Sequence, residues 1–258
     1  MAEAGRQGRG RRPASGEPVV DRALRMLAAF DSTHRRLTLS EMARRSSIPL
    51  SSAHRLAERL ADWGAIERED DGRYVIGLRL YEVASLAPRG HGLREVASPY
   101  LEDLFVVTRH HVQLAVLEGS EAVMVERRSG PGAVKVEYRV GGKLPLLTTA
   151  LGQVLVANLS PARRDEVLAG CTRPDDLALM HDRAKVDAVL DRVRTSGFSV
   201  VTRREPAPLV AVAAPIRGRG DEAAAALSLV VPAGTPTQSL EPVLRTAARS
   251  IARSLRDA

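Results

Sequence analysis

Cysteine occurs once in this chain of 258 residues, at Cys171. One thiol can neither close an intramolecular disulfide nor build a cysteine-rich zinc site, so the fold must rest on packing, and a reducing compartment is expected. Long apolar runs are missing as well. Nothing approaches the ~18–20 uninterrupted apolar residues of a membrane span, and residues 1–12 are polar and basic where a secretory signal would carry an apolar core. The expectation is a cytoplasmic protein with no membrane partner. Catalytic signatures are absent too: there is no His-Glu-x-x-His, no P-loop, no Gly-x-Ser-x-Gly and no Gly-x-Gly-x-x-Gly. His110 and His111 are adjacent, so a strand would send their rings to opposite faces, and neither has an acid at ligand spacing. No catalytic residue, metal or cofactor is expected. The alternative is an enzyme acting on a small molecule through a C-terminal α/β domain.

What the chain does contain is enough apolar residue to bury real cores: 44% is hydrophobic and 27% charged, close to the average for soluble domains. Its length suggests two of them. The net charge is +7, which points to a polyanionic partner once the charge is located. Residues 1–79 hold 15 Arg against 11 Asp and Glu, and the remaining residues hold 23 Lys and Arg against 20 acids. The excess is denser at the front. Residues 1–18, rich in Gly, Arg, Ala and Pro without an apolar period, read as a disordered basic arm.

From Val20 the pattern is helical, with Val20, Ala23, Leu24 and Leu27 on one face. Thr38-Leu39-Ser40-Glu41 has the form of a capping box, so a second helix starts at Leu39, with Leu39, Met42 and Ala43 inward. It ends near Ser46 and Ser47, ahead of Ile48-Pro49. A third helix spans about 50–63, with Ala53, Leu56, Ala57 and Leu60 as its buried stripe and Gly64 as its stop. Two short strands over 66–69 and 73–76 flank Asp70-Asp71-Gly72, and Asp-Gly there predicts a type I′ hairpin. Three helices followed by a hairpin make a winged helix-turn-helix.

These residues resemble the IclR family of bacterial transcriptional regulators. The resemblance is carried by Arg22-Ala23-Leu24, Leu39-Ser40-Glu41-Met42-Ala43-Arg44-Arg45, Ile48-Pro49, Ser51-Ser52-Ala53-His54-Arg55-Leu56 and Gly72-Arg73-Tyr74 with Gly77. It continues through Leu93-Arg94-Glu95-Val96-Ala97, Arg139-Val140-Gly141-Gly142-Lys143-Leu144-Pro145-Leu146, Thr149-Ala150-Leu151-Gly152 and Ala213-Ala214-Pro215. It implies an α+β protein: an N-terminal winged helix-turn-helix, a linker helix that helps dimerisation, and a C-terminal GAF-like α/β effector-binding domain. The expected divisions are 1–18 arm, 19–78 DNA-binding domain, 79–92 linker helix and 93–258 effector and oligomerisation domain. The downstream pattern agrees, with strands read over 112–118, 121–127, 134–140, 209–216 and 223–231. Helices are read over 93–108 and 149–159, from Pro161, over 183–196 and from about 239 to 255. Pro88, Gly90 and Gly92 suggest a hinge or an ordinary connector.

The expected function is a sequence-specific regulator, with repression favoured over activation, that binds double-stranded operator DNA under the control of a small organic effector. A homodimer is expected, with a tetramer as the alternative. On the third helix Ser51, Ser52, His54 and Arg55 cluster near the N-terminus, where helix amides and dipole also favour phosphate. Arg55 could read a guanine edge or only meet phosphate. Arg44, Arg45 and Arg73 are expected phosphate clamps, and Asp70 and Asp71 argue against the wing tip entering a groove. Carried over from the family position by position, the effector site is Ala150, Leu151, Leu209, Ala211, Ser228 and Val230. Here the sequence departs from the family. Pro208 stands where the family commonly has Gly, Ala211 where it has Cys, Val230 where it has a polar residue and Leu147 where it often has His. Fewer donors imply a more hydrophobic or neutral ligand than a small dicarboxylate. Ser47 replaces a usual Gly, which costs about 1 kcal/mol if its backbone is left-handed.

Overall fold

A computed structural model describes residues 18–31, 33–87, 92–205, 207–218, 220 and 222–257. The expected basic arm, apart from Pro18, and the expected break, apart from Gly92, lie outside the described residues. The chain divides into two compact units, Met1–Leu86 and Ala87–Ala258.

The first unit is built from α1 (Val19–Ala28), α2 (Leu39–Arg45), α3 (Leu50–Asp62), β1 (Ile66–Arg68), β2 (Tyr74–Ile76) and α4 (Leu78–Ser85). The capping box forms: Glu41 N–H donates to Thr38 Oγ1 and Thr38 N–H to Glu41 Oε2. Those two bonds satisfy donors that a helix start would otherwise leave bare. Met42, Ala43, Ala53, Leu56 and Ala57 then bury against Ile66 and Tyr74. The wing is pinned to the chain before α2 by a pair of backbone bonds between Leu37 and Tyr74. It also approaches the end of α3 closely. A Cβ at Gly77 would sit 2.2 Å from the Gly64 carbonyl oxygen.

Two local expectations are corrected here. On α1 it is Met26 that is fully buried, while Val20 and Leu24 are exposed; the core takes the stripe through Ala23, Met26 and Leu27, and the flank carrying Val20 and Leu24 is left outside. The hairpin is not type I′. Glu69 and Arg73 pair, Gly72 N–H donates back to the Glu69 carbonyl, and only Gly72 takes positive φ (+80°). This is a three-residue loop in which one left-handed glycine suffices. Ser47, by contrast, does adopt the left-handed conformation (φ +55°), so the cost attached to replacing glycine there stands.

The second unit contains α5 (Leu93–Thr108), β3 (His111–Glu118), β4 (Glu121–Arg128), β5 (Lys143–Leu144), α6 (Ala150–Ala157), α7 (Pro161–Ala169), α8 (Pro174–Met180), α9 (Arg183–Ser196), β6 (Ser199–Arg203), β7 (Leu209–Arg217), β8 (Ala223–Pro232) and α10 (Leu240–Asp257). The strands form one antiparallel sheet in the order β5-β4-β3-β8-β7-β6. Side chains alternate across it. Val112, Leu114, Val212, Ala214, Leu227 and Leu229 pack toward α5 and α10, whereas Ala115, Met124, Ala213 and Ala226 pack toward α6 and α9. Both faces are covered, which is why β7 and β8 read as nearly unbroken apolar runs.

Residues 134–140, expected as a strand, have no regular structure. The free edge of β4 is already taken: Ala122 and Val123 pair with β5, and Met124 exchanges backbone bonds with Gly141 and Gly142. Side chains satisfy the displaced segment instead, His111 bonding the Val134 carbonyl and Arg127 the Tyr138 carbonyl. The short elements α8, β5 and β6 were not anticipated.

Candidate functional site

Two places bring functional side chains together, one in each unit. In the first, α3 begins after Pro49 with no side-chain cap, an arrangement in which the leading amides of a helix favour an anion. Ser51, His54 and Arg55 are exposed on this half of the helix and Ser52 is half-buried. His54 Nδ1 lies 3.6 Å from Glu58, one turn on. Arg55 and Arg44 are exposed and pair with no carboxylate among the described residues. Arg73 is loosely held, 3.8 Å from Glu41 and 3.7 Å from Asp71.

Arg45 departs from its expected role as a free phosphate clamp. Its Nε donates to the Ala29 carbonyl and its Nη2 to Asp31, so its guanidinium fastens α2 to the end of α1. The Thr33 hydroxyl, with His34 beside it, holds the Asp31 carboxyl far below the usual range, keeping that partner charged. At the wing, Arg36 spans Glu69 and Asp71. The acidic tip is thereby partly neutralised inside the unit.

In the second unit, Ala150, Leu151, Leu209, Ala211, Ser228 and Val230 all line one cavity. Register explains the convergence. Ala211 pairs directly with Val230, and Ser228 with Gln113, so alternate residues of β7, β8 and β3 share the face that α6 covers. The start of α6 is fixed in turn. Thr149 donates to the Pro145 carbonyl and caps Gly152 N–H, while the fully buried Asp176 accepts from the Leu146 and Leu147 amides. Gly152 is required at this contact, since a Cβ there would lie 2.5 Å from Leu146 Cα.

The cavity is more polar than those six positions suggested. Gln113, Glu137, Tyr138, Thr148 and Arg203 also line it. Arg203 Nη1 donates to the Tyr138 hydroxyl at 3.2 Å, its Nη2 lies 3.6 Å from Glu137, and its guanidinium sits over the Tyr138 ring. Burial pushes the Tyr138 phenol upward, keeping it protonated. Thr148 Oγ1 is buried without a hydrogen-bond partner among the described residues, an arrangement that costs free energy unless water or a ligand satisfies it. Sequence reasoning missed these groups because Arg203 enters on the unanticipated β6, through its pairing with Leu209, and Tyr138 enters on the segment misread as a strand. The Val201-Thr202 pair of β-branched residues was the available signal for β6. Leu147, where the family often has His, lines a different hollow, with α9.

The cavity encloses about 50 Å³, well short of the ~300 Å³ at which pockets for drug-sized ligands begin. Admitting a molecule therefore requires its wall to move, and the irregular residues 136–138 are the part with no strand ladder to break. Cys171 lies elsewhere, buried beneath α7, its thiol pushed up to about 11 by burial and by the nearby Asp176 and Glu121 carboxylates. At neutral pH it is protonated and packs as a small hydrophobe.

A winged helix-turn-helix joined to an α/β unit with a lined cavity defines a ligand-responsive DNA-binding regulator. The comparisons bear this out. Residues 87–256 match the family described as bacterial transcriptional regulator IclR C-terminal, and residues 19–70 match the IclR helix-turn-helix domain. The chain belongs to the IclR family. It is 27% identical to the HTH-type transcriptional regulator XynR of Escherichia coli (strain K12) over 212 residues, 81% of this chain and 84% of that protein. It is 26% identical to the Pca regulon regulatory protein of Pseudomonas putida over 242 residues, 91% of this chain and 82% of that one. Among solved structures it is similar to an IclR homolog from Microbacterium hydrocarbonoxydans complexed with 4-hydroxybenzoate, with TM-score 0.85 and 32% identity, covering 93% of this chain and all of that one.

Proposed function

We propose that this regulator is a cytoplasmic repressor that reads its operator with the first half of α3 and releases it when a small, mostly apolar molecule with one polar or anionic end enters the second unit. The observation that carries the DNA half is Arg55: exposed beside bare helix amides and unopposed by any carboxylate among the described residues. Its fork suits a bidentate bond to a guanine edge, with Ser51, Ser52 and His54 beside it and Arg44 and Arg73 on phosphates. Arg45 serves the scaffold. Two recognition helices are needed to read two half-sites, and the exposed apolar side chains Val19, Val20 and Leu24 on α1 and Leu78, Tyr81 and Leu86 on and after α4 supply surface for a homodimer.

For the effector, the apolar floor from Ala150, Leu151, Leu209, Ala211 and Val230 suits a hydrocarbon or aromatic body. Thr148, Arg203 and Tyr138 offer donors in the cavity wall. The Arg203 charge is already shared with Glu137, so one carboxylate or phenol fits better than two carboxylates. The 4-hydroxybenzoate held by the similar Microbacterium protein has that chemistry. Calorimetry with 4-hydroxybenzoate, its neutral methyl ester and succinate tests the assignment. Either aromatic should bind at least about tenfold more tightly than succinate, a difference of roughly 1.4 kcal/mol. Tighter binding of succinate would sink it.

A further inference from the structure

On the α10 side of the second unit lies a cleft of about 520 Å³ that shares no residue with the effector cavity. Its walls carry Arg194 from the end of α9, Arg217 from the end of β7, and Arg245, Arg249, Arg253 and Arg256 from α10. Among the described residues no Asp or Glu lines it. The α10 arginines are spaced four, four and three residues apart, which places them in one stripe, and the buried Ala248 and Ala252 form a shallow floor between them. Like charges at that spacing destabilise a helix by about 0.2–0.5 kcal/mol per pair. Arg245 is relieved by Glu241 and the Ser196 carbonyl. Arg194, Arg249 and Arg253 are exposed and meet no carboxylate among the described residues. The helix dipole favours cations in its last turn, which accounts for Arg256 on α10 and Arg194 on α9 but not for Arg249 or Arg253.

We infer that this cleft binds a small polyphosphate anion, nucleosidic or inorganic, at a site separate from both operator and effector. Arg is the side chain suited to bidentate phosphate recognition. Arg249 and Arg253 lie about 6 Å apart along the helix at 1.5 Å per residue, with Arg194 also in the wall, so the available arginines match neighbouring phosphates better than a single one. The volume lies within the range of small-molecule pockets. A DNA duplex is convex and broader than the cleft, and could touch only its rim.

The test is calorimetry on the full chain with inorganic tripolyphosphate, with sulfate at equal ionic strength as control, repeated with the double variant Arg249→Gln, Arg253→Gln. Both positions are exposed, and an unchanged thermal midpoint verifies folding. For a variant that does not fold, the single change Arg194→Gln on the opposite wall takes its place. Tripolyphosphate should bind at least about tenfold more tightly than sulfate, and the variant should lose about tenfold or more, as expected for removing charge-assisted bonds. Its affinity for a non-operator duplex should stay within about twofold, because phosphate contacts made elsewhere are untouched. ATP binding tighter than tripolyphosphate assigns a nucleosidic ligand, and equal binding assigns an inorganic one; both uphold the site. Undiminished tripolyphosphate binding by the variant overturns the inference. So does parity with sulfate, and so does a matching loss of duplex affinity, which would make the cleft a DNA backbone surface.

Discussion

Arg55 in the first unit is exposed and meets no carboxylate among the described residues, whereas Arg203 in the second lies over the Tyr138 ring with Glu137 beside it. On the proposed reading the first is a group on offer: its partner brings the counter-charge, and no ion pair within the described residues is lost with it. The second is already engaged within the fold, and on the proposed reading a ligand must enter and rearrange that constellation. A surface that docks onto a rigid polyanion can be built from exposed side chains on one helix. A cavity that must sense a ligand has to be assembled from several strands and held by buried polar bonds that also hold the fold. Binding and stability are therefore separable in the first unit and coupled in the second.

The strongest test of that coupling is Asp176→Ala. It strips the acceptor from two buried amides, at roughly 1–3 kcal/mol each, so urea unfolding should show the second unit losing about 2–6 kcal/mol, with effector binding lost alongside. Retained stability would break the comparison. Next is Arg55→Ala, which should cost about 1–3 kcal/mol of operator discrimination and leave the urea midpoint unchanged. Arg44→Ala should weaken all sequences alike and lower the slope of log affinity against log salt by about 1. Competition binding against single-base operator variants separates the two.

Acid should distinguish the units by pH range. Burial lowers His111 below the ordinary histidine value, though its bond to the Val134 carbonyl opposes this. The folded state thus favours the neutral ring, and that contribution, complete above about pH 6.5, declines as pH falls toward the lowered value. In Glu126 burial acts upward, but the Arg127 amide and the Arg94 and Arg128 guanidinium groups outweigh it and hold the carboxyl low, which adds a loss only below about pH 4.3. The shifted acids of the first unit, Asp31 and Glu41, are lowered and likewise act only in that carboxylate range. Hydrogen exchange compared at pH 7.5 and 5.5 should show protection falling in β3 and not in α2. Equal loss in both would contradict the assignment. The smallest effect is Ser47→Gly. Relief of a left-handed side chain, about 1–2 kcal/mol, less the added unfolded-state entropy of glycine, about 0.4–1 kcal/mol, leaves a gain of up to about 1.6 kcal/mol, readable as a higher thermal midpoint of the first unit.

Much of the first unit was legible because its signals are local. The Thr38–Glu41 box, the Ala53-Leu56-Ala57 stripe and the turn before Pro49 each lie within a few residues of chain. The errors there were of degree: Met26 rather than Val20 and Leu24 faces the core, and Gly72 alone supplies the positive φ. In the second unit the strong runs of β3, β4, β7 and β8 were readable from composition, and the six cavity positions came from the family pattern. Residues 134–140 were not readable, because whether a β-branched stretch pairs depends on whether an edge is free, and β5 had taken it. Asp176 was invisible for a similar reason: an acid in the first turn of a short helix looks solvated until its two amide partners, 29 and 30 residues away, are brought to it.

The sequence by itself determined the helices and wing of the DNA-reading unit, the exposed arginine on α3, and the alternation that buries both faces of the sheet, since all of these follow from spacing along the chain. Only the tertiary structure decided that Arg203, Tyr138 and Thr148 meet in one cavity, that Arg45 is spent on the scaffold, and that six arginines from three elements share a cleft. Register and edge pairing bring together residues far apart in sequence, and no local period encodes which charges end up paired and which are left facing a partner.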